Sequence, residues 1–194
     1  MPSLYIIAGC NGAGKTTASF TVFPELLNIR EFVNADEIAR GLSPFQPESV
    51  SIQAGKIMLR RLDELIAEGK DFAFETTLST RSFIILCEEA RSKGYDIYII
   101  FLWLPSPDHA IERVRNRVSK GGHNIPDDVV IRRYQAGLKN FTELYQSLVD
   151  YWMFIDNSGQ QLSLIAEGGR ESNTIIHNSA IWQKIQESGS RTRR

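Results

Sequence analysis

Gly9-Cys10-Asn11-Gly12-Ala13-Gly14-Lys15-Thr16 satisfies every fixed position of the pattern G-x-x-x-x-G-K-[ST]. Before it, Leu4-Tyr5-Ile6-Ile7-Ala8 is short, apolar and rich in strand formers, which predicts a buried strand. After it, Thr17 to Leu27 is read as a helix. Strand, glycine loop and helix give the pattern its physical meaning. Gly9, Gly12 and Gly14 let the chain curl until successive backbone N–H groups point inward, and such a nest at a helix start binds phosphate. Lys15 adds a point charge for the β- and γ-phosphates, and the Thr16 hydroxyl stands where a Mg²⁺ ligand is needed. The expectation is a site for ATP and Mg²⁺ built from Gly9, Asn11, Gly12, Ala13, Gly14, Lys15, Thr16 and Thr17. Cys10, set among these amides beside Lys15, is expected to have a lowered pKa and to react with thiol-blocking reagents.

The 194 residues suffice for one domain with a single core, and the composition is that of a globular chain. No apolar run reaches the ~20 residues of a membrane span. The start carries no basic leader, and two cysteines do not make a disulfide framework, so the cytoplasm is the expected compartment. A formal net charge of −1 argues against a nucleic-acid partner held by bulk electrostatics. The basic tail Arg191-Thr192-Arg193-Arg194 reads as a solvated end.

Strand and helix patterns alternate along the chain. Glu31 to Asn34, Phe72 to Phe74, Tyr95 to Leu104 and Tyr151 to Ile155 read as strands. The apolar run in Tyr95 to Leu104 fits a strand covered on both faces. Helices are expected over Glu48 to Glu68, from Ser79 or Thr80 as N-cap to Lys93, from Asp108 to Val118, and over Asp127 to Val149. This alternation predicts an α/β domain of the P-loop NTPase fold: a five-stranded parallel sheet flanked by helices over residues 1–160. The remainder, 161–194, is expected as a less regular extension packed on the same domain, a hairpin over the Gly168-Gly169 turn and a final helix.

Ligands of open α/β sheets sit beyond the carboxyl ends of the strands, and three strands here end in polar groups. Asp36 follows the second strand and has two readings, N-cap of the next helix or general base for an attacking hydroxyl. A triphosphate loop favours the base. Glu75 follows the third strand, where it either holds a magnesium-bound water or substrate hydroxyl, or faces solvent; Thr76 and Thr77 stand beside it as polar contacts. Between 112 and 133, Arg113, Arg115, Arg117, Lys120, Arg132 and Arg133 surround the Gly121-Gly122 loop. A basic lid over about 117–133 would close on the γ-phosphate and exclude water, with Arg117, Arg132 and Arg133 as its candidate contacts. Arg132 and Arg133 lie about 100° apart on a helix, so one of them points inward. His123 is a candidate phosphate contact from the same loop. Trp103 and Trp152 read as core.

Taken together, the phosphate loop, Asn34-Ala35-Asp36, Glu75-Thr76-Thr77 and Gly121-Gly122-His123-Asn124-Ile125-Pro126 resemble the zeta toxin family of small kinases, over roughly Leu4 to Asn157. The resemblance implies ATP-dependent phosphorylation of a sugar hydroxyl, with UDP-N-acetylglucosamine the acceptor of the best-known members. It implies Asp36 as base, Glu75 and Thr76 as substrate contacts, lid arginines on the phosphates, and an antitoxin protein as partner. Two departures bear on the acceptor: two threonines follow Glu75 where the toxins tend to have glycine then threonine, and no extra segment offers a nucleotide-sugar pocket. The rival readings are a polynucleotide 5′-hydroxyl kinase and a nucleotide-hydrolysing switch. Near-neutral charge counts against the first and the missing guanine-reading N-K-x-D against a GTPase switch.

Overall fold

The computed structural model describes residues 1–21, 23–122 and 124–190. Five strands run parallel: β1 (Ser3–Ala8), β2 (Glu31–Val33), β3 (Phe72–Thr76), β4 (Asp96–Trp103) and β5 (Tyr151–Asp156), in the order β2-β3-β1-β4-β5. The sheet does not stop at the expected five. β6 (Ser163–Gly169) pairs antiparallel with β5, and β7 (Ser172–Ile176) pairs antiparallel with β6, so seven strands form one sheet. Only residues 157–162 separate β5 from β6. A parallel return needs a crossover of about a dozen residues or more, so this chain can only come back antiparallel. The tight turn lies at Arg170 and Glu171, whereas Gly168 and Gly169 are inside β6.

The helices are α1 (Lys15–Thr21), α2 (Phe23–Leu27), α3 (Ala35–Leu42), α4 (Ser51–Glu68), α5 (Phe83–Ser92), α6 (Pro107–Ser119), α7 (Asp127–Asn140) and α8 (Ser179–Ser190). The helix expected from Thr17 to Leu27 is described on either side of residue 22, as α1 and α2. Two other expected helices are shorter than their sequence patterns. The one read from Glu48 is preceded by a 3₁₀ turn, Pro47–Val50, because Pro47 has no N–H to give and sits in its first turn. The one read to Val149 leaves the α-helical ladder at Asn140 and passes into a π turn, Phe141–Tyr145. Neither Ser79 nor Thr80 caps α5, which begins at Phe83; Thr80 Oγ1 instead meets Ser82 Oγ at 2.8 Å.

The crossover from β1 to β2 runs one way along the sheet, while those from β2 to β3, β3 to β4 and β4 to β5 run the other way. That reversal opens a crevice at the carboxyl end of β1, where a ligand binds in this class of sheet. The core beneath it is continuous. Phe101 and Phe154 stack with centroids 4.3 Å apart, Phe141 closes on Phe154 at 4.6 Å, and Trp152 stacks on Trp182 of α8 at 5.3 Å. Trp103 and Trp152 are both core residues, as their strand positions require. No helix among the described residues is long and apolar enough to cross a membrane.

Phe154 is fully buried among these rings, so Phe154→Ala should lower unfolding stability by about 3–5 kcal/mol. Urea denaturation should show the shift in midpoint with an unchanged slope.

Candidate active site

β1 ends at Ala8 and the next six residues form the loop. Gly9, Gly12 and Gly14 adopt φ of 140°, 80° and 81°, a region closed to most side chains, and a Cβ on Gly9 would run into the Leu102 carbonyl oxygen. From the end of β5, Asn157 Nδ2 donates to the Ala13 carbonyl at 2.8 Å and steadies the loop from below. Lys15 is buried, with Nζ donating to the Cys10 carbonyl at 3.0 Å and lying 3.5 Å from Glu75 Oε1. Thr16 Oγ1 donates to Glu75 Oε2 at 2.8 Å, whereas Thr17 faces outward.

Cys10 behaves differently from the expectation. Its thiol is buried, and burial pushes its pKa up to about 11, outweighing the lowering by Lys15. The Cys10 side chain packs into the core with Phe101 and Tyr134 around it.

Glu75 is where three strand ends meet. Besides Lys15 and Thr16 it accepts a 2.8 Å hydrogen bond from Asn34 Nδ2 at the end of β2. A carboxylate with only 10 % exposure is costly unless its charge and lone pairs are matched, and here one ammonium and two neutral donors do that. Asn34 has a second role. Its Oδ1 accepts from the Asp36 N–H at 2.8 Å and the Glu37 N–H at 3.4 Å, so Asn34, not Asp36, is the N-cap of α3. Asp36 is thereby left in the first turn, exposed at the mouth of a cavity, with no capping duty.

The lid candidates separate. α7 crosses close to the exit of β3, where Gly137 lets it approach: a Cβ there would sit 2.5 Å from the Thr77 carbonyl oxygen. Tyr134 fixes the same helix by donating to the Leu104 carbonyl at 2.8 Å. One residue earlier, Arg133 is directed into the cavity, where Nη1 donates to Asn11 Oδ1 at 3.2 Å. Burial pulls its guanidinium below the ordinary value, and the Asp36 carboxylate opposes that pull. Arg132 is exposed on the outer side of α7. Arg117 packs beneath Gly122, away from the cavity lining. His123 lies outside the described residues, as does the tail from Arg191. Arg113 reaches instead from α6 toward the loop: its Cβ adjoins Gly12 and its Nη2 donates to the Ser158 carbonyl at 3.2 Å.

The cavity has a volume of about 400 Å³. Lys15, Asp36, Glu75 and Arg133 form its charged end, and Thr76 and Thr77 lead away from it along the exit of β3. There Leu78 is buried with φ of 56°, a left-handed conformation that costs a non-glycine residue about 1–2 kcal/mol. Its N–H donates to Thr76 Oγ1 at 3.0 Å and its carbonyl accepts from the buried Asn140 Nδ2 at 2.8 Å. Thr16 Oγ1 and the Glu75 carboxylate suit Mg²⁺, which takes one hard side-chain ligand or two and leaves the rest to water and phosphate.

Four contributors were not assigned from sequence: Asn34, Arg113, Asn140 and Asn157. Asn34 alone carried a local signal, standing two residues before Asp36 at a strand-to-helix junction, the position at which Asn caps. The other three act across 45 to 144 residues of chain.

The sequence model of the Zeta toxin family matches residues 1–169. The chain belongs to the Zeta toxin family. An uncharacterized protein of Haemophilus influenzae is 29 % identical over 127 residues, spanning 65 % of this chain and 88 % of the relative. Among solved structures, the AvrRxo1-ORF1:AvrRxo1-ORF2 complex superimposes with a TM-score of 0.76 at 16 % identity, and its ATP-bound form with 0.74. These cover 95 % of this chain, which spans only 63 % of that one. The PezAT toxin–antitoxin system of Streptococcus pneumoniae matches with a TM-score of 0.65 at 16 % identity, over 97 % of this chain and 84 % of that one. At such identities the structural likeness speaks for the fold, a mostly parallel P-loop kinase sheet.

Two outcomes follow from the geometry. Cys10 and Cys87 are both buried, with pKa values pushed up to about 11 and about 12, so a disulfide reagent at neutral pH should label neither until denaturant is added. Asn34→Ala removes the cap of α3 and one partner of Glu75, and should cost about 1–3 kcal/mol in thermal or chemical unfolding.

Proposed function

We propose that this chain is an ATP-dependent small-molecule kinase that moves the γ-phosphoryl group to a hydroxyl of a sugar or nucleotide sugar. One observation carries the reading: Asp36 and Arg133 face the same cavity as the phosphate-loop lysine. A phosphoryl transfer needs a triphosphate held at one end of a cavity, an acceptor at the other, and a carboxylate beside the acceptor oxygen.

The loop N–H groups would hold the β- and γ-phosphates, and Lys15 would exchange the Cys10 carbonyl and Glu75 for phosphate oxygens. The acceptor oxygen bonds to the γ-phosphorus as the bond from that phosphorus to the β,γ-bridging oxygen breaks. The electron pair leaves with ADP, and the hydroxyl proton passes to the Asp36 carboxylate. Arg133, already at the junction, would meet the equatorial oxygens as charge spreads over them. Mg²⁺, held by Thr16 with Glu75 behind it, would supply charge neutralisation on the phosphates when bound. Thr76 and Thr77 would contact the acceptor. Lid closure over about 117–133 would bring Arg117 and His123 nearer the phosphates, with Arg132 as the outward member. The AvrRxo1 complex crystallised with ATP supports ATP as donor, and the PezAT system supports an antitoxin protein as partner. Use of ATP would place the work in the cytoplasm. Residues 1–160 would form the kinase unit, and 161–194 would extend its sheet.

Lys15→Ala and Asp36→Ala should each reduce transfer from labelled ATP by about 10²–10⁴-fold. Lys15→Ala should also weaken ATP binding measured by calorimetry, whereas Asp36→Ala should leave it nearly intact. Equal loss of ATP affinity in both would assign Asp36 to the nucleotide. Label passing to 5′-hydroxyl oligonucleotides alone, or to water alone, would replace this reading with a polynucleotide kinase or a hydrolysing switch.

A further inference from the structure

The cavity wall beyond the charged end has a chemistry of its own. Thr77 Oγ1 meets Ser79 Oγ at 2.8 Å, and Thr80 Oγ1 meets Ser82 Oγ at 2.8 Å. All four line the cavity. Each pair shares one hydroxyl proton, leaving one proton and several lone pairs free, so the wall both donates and accepts. Apolar groups line the same cavity: Met58 and Leu59 of α4, and Phe83 at the start of α5, braced by Phe74 with centroids 4.7 Å apart. Hydroxyls beside apolar surface match a polyol or pyranose, which carries hydroxyls at its rim and C–H groups on its face.

This wall is built at a cost. The left-handed turn at Leu78 is what brings Thr77 and Ser79 round to each other, and it is held by Thr76 Oγ1 on one side and Asn140 on the other. A strained, buried, doubly hydrogen-bonded turn at the rim of a cavity is a recognition element rather than a passive strand exit.

Charge and size narrow the ligand. Among the described residues that line the cavity, the cations are Lys15 and Arg133, both at the phosphate-loop end and both already engaged, with Glu75 and Asn11. The wall from Thr77 to Ser82 brings hydroxyls to the lining, while Arg81 within it is exposed and stands outside the lining. At about 400 Å³ the cavity lies at the small end of the range of ligand sites, and Asn11, Lys15 and Arg133 assign part of it to the phosphate end. The diphosphate of a nucleotide sugar would need cations beyond the γ-phosphate position.

We infer that the acceptor is an uncharged polyhydroxyl compound of monosaccharide size, oriented by the Thr77–Ser79 and Thr80–Ser82 hydroxyl pairs beside the apolar Met58 and Phe83. The inference rests on the kinase reading and sharpens it. One acceptor hydroxyl faces Asp36, to which its proton passes as the γ-phosphoryl group arrives from ATP, while the remaining hydroxyls bond along the wall.

The test is transfer from γ-labelled ATP by the full chain with two acceptor panels. One holds neutral compounds (hexoses, N-acetylhexosamines, inositols, linear polyols); the other holds sugar phosphates and nucleotide sugars. Transfer to a neutral compound is expected, at a rate at least about tenfold above any charged relative. Thr77→Val should then raise KM for that acceptor about tenfold, the worth of one hydrogen bond to a bound hydroxyl, with KM for ATP much less affected. Thr77→Ser, which keeps the hydroxyl, should restore it. Transfer confined to nucleotide sugars or sugar phosphates would overturn the inference and leave the kinase reading standing. An unaltered acceptor KM in Thr77→Val would overturn the hydroxyl wall in the same way. ATP spent on water alone, with no compound labelled in either panel, would overturn both.

Discussion

A single carboxylate holds the site together. Glu75, at the end of β3, receives Lys15 and Thr16 from the phosphate loop and Asn34 from the end of β2. Three strand ends are thereby tied at one nearly buried point, where an unmatched charge would cost several kcal/mol. The loop's lysine is parked, the cap of α3 is oriented, and Asp36 is left facing the cavity as a consequence of that one matched charge. Magnesium and the triphosphate would enter where these partners already converge.

Around this point the fold uses close approaches to fix the cavity wall. Gly137 lets α7 touch the Thr77 carbonyl, Tyr134 bonds the Leu104 carbonyl, and Asn140 bonds that of Leu78. Those three contacts fix the helix that presents Arg133. They also hold the strained turn that shapes the hydroxyl-lined wall of the cavity. The charged end of the cavity and its hydroxyl-lined wall are therefore coupled through α7, one rigid element packed on the aromatic core of β4 and β5.

Much of this was legible in residue order. The phosphate loop is local: its glycines, lysine and threonine occupy eight consecutive positions, so their joint geometry follows from the chain itself. The strand-end placement of Asp36 and Glu75 was legible for the same reason. Cys10 shows where local reading fails. A thiol among amides and a lysine suggests a lowered pKa, yet the side chain turns into the core and burial reverses the sign. The lid arginines show it again, because helical spacing says that one of two neighbours faces in but not which one. The sheet's extra strands were missed in number for a related reason: a hairpin can be read locally, but whether it stands apart or adds to an open edge depends on what that edge offers.

Sequence by itself determined the α/β class, the parallel order of element types, the phosphate-binding loop and the positions of two carboxylates, since each depends on residues within a few positions of one another. Tertiary structure alone decided that Asn34 rather than Asp36 caps α3, that Arg133 rather than Arg132 meets the loop, and that Thr77 to Ser82 curve into a wall. Those outcomes depend on contacts spanning up to 144 residues, Asn157 to Ala13 among them, and no local pattern encodes a distance closed by the packing of the whole sheet.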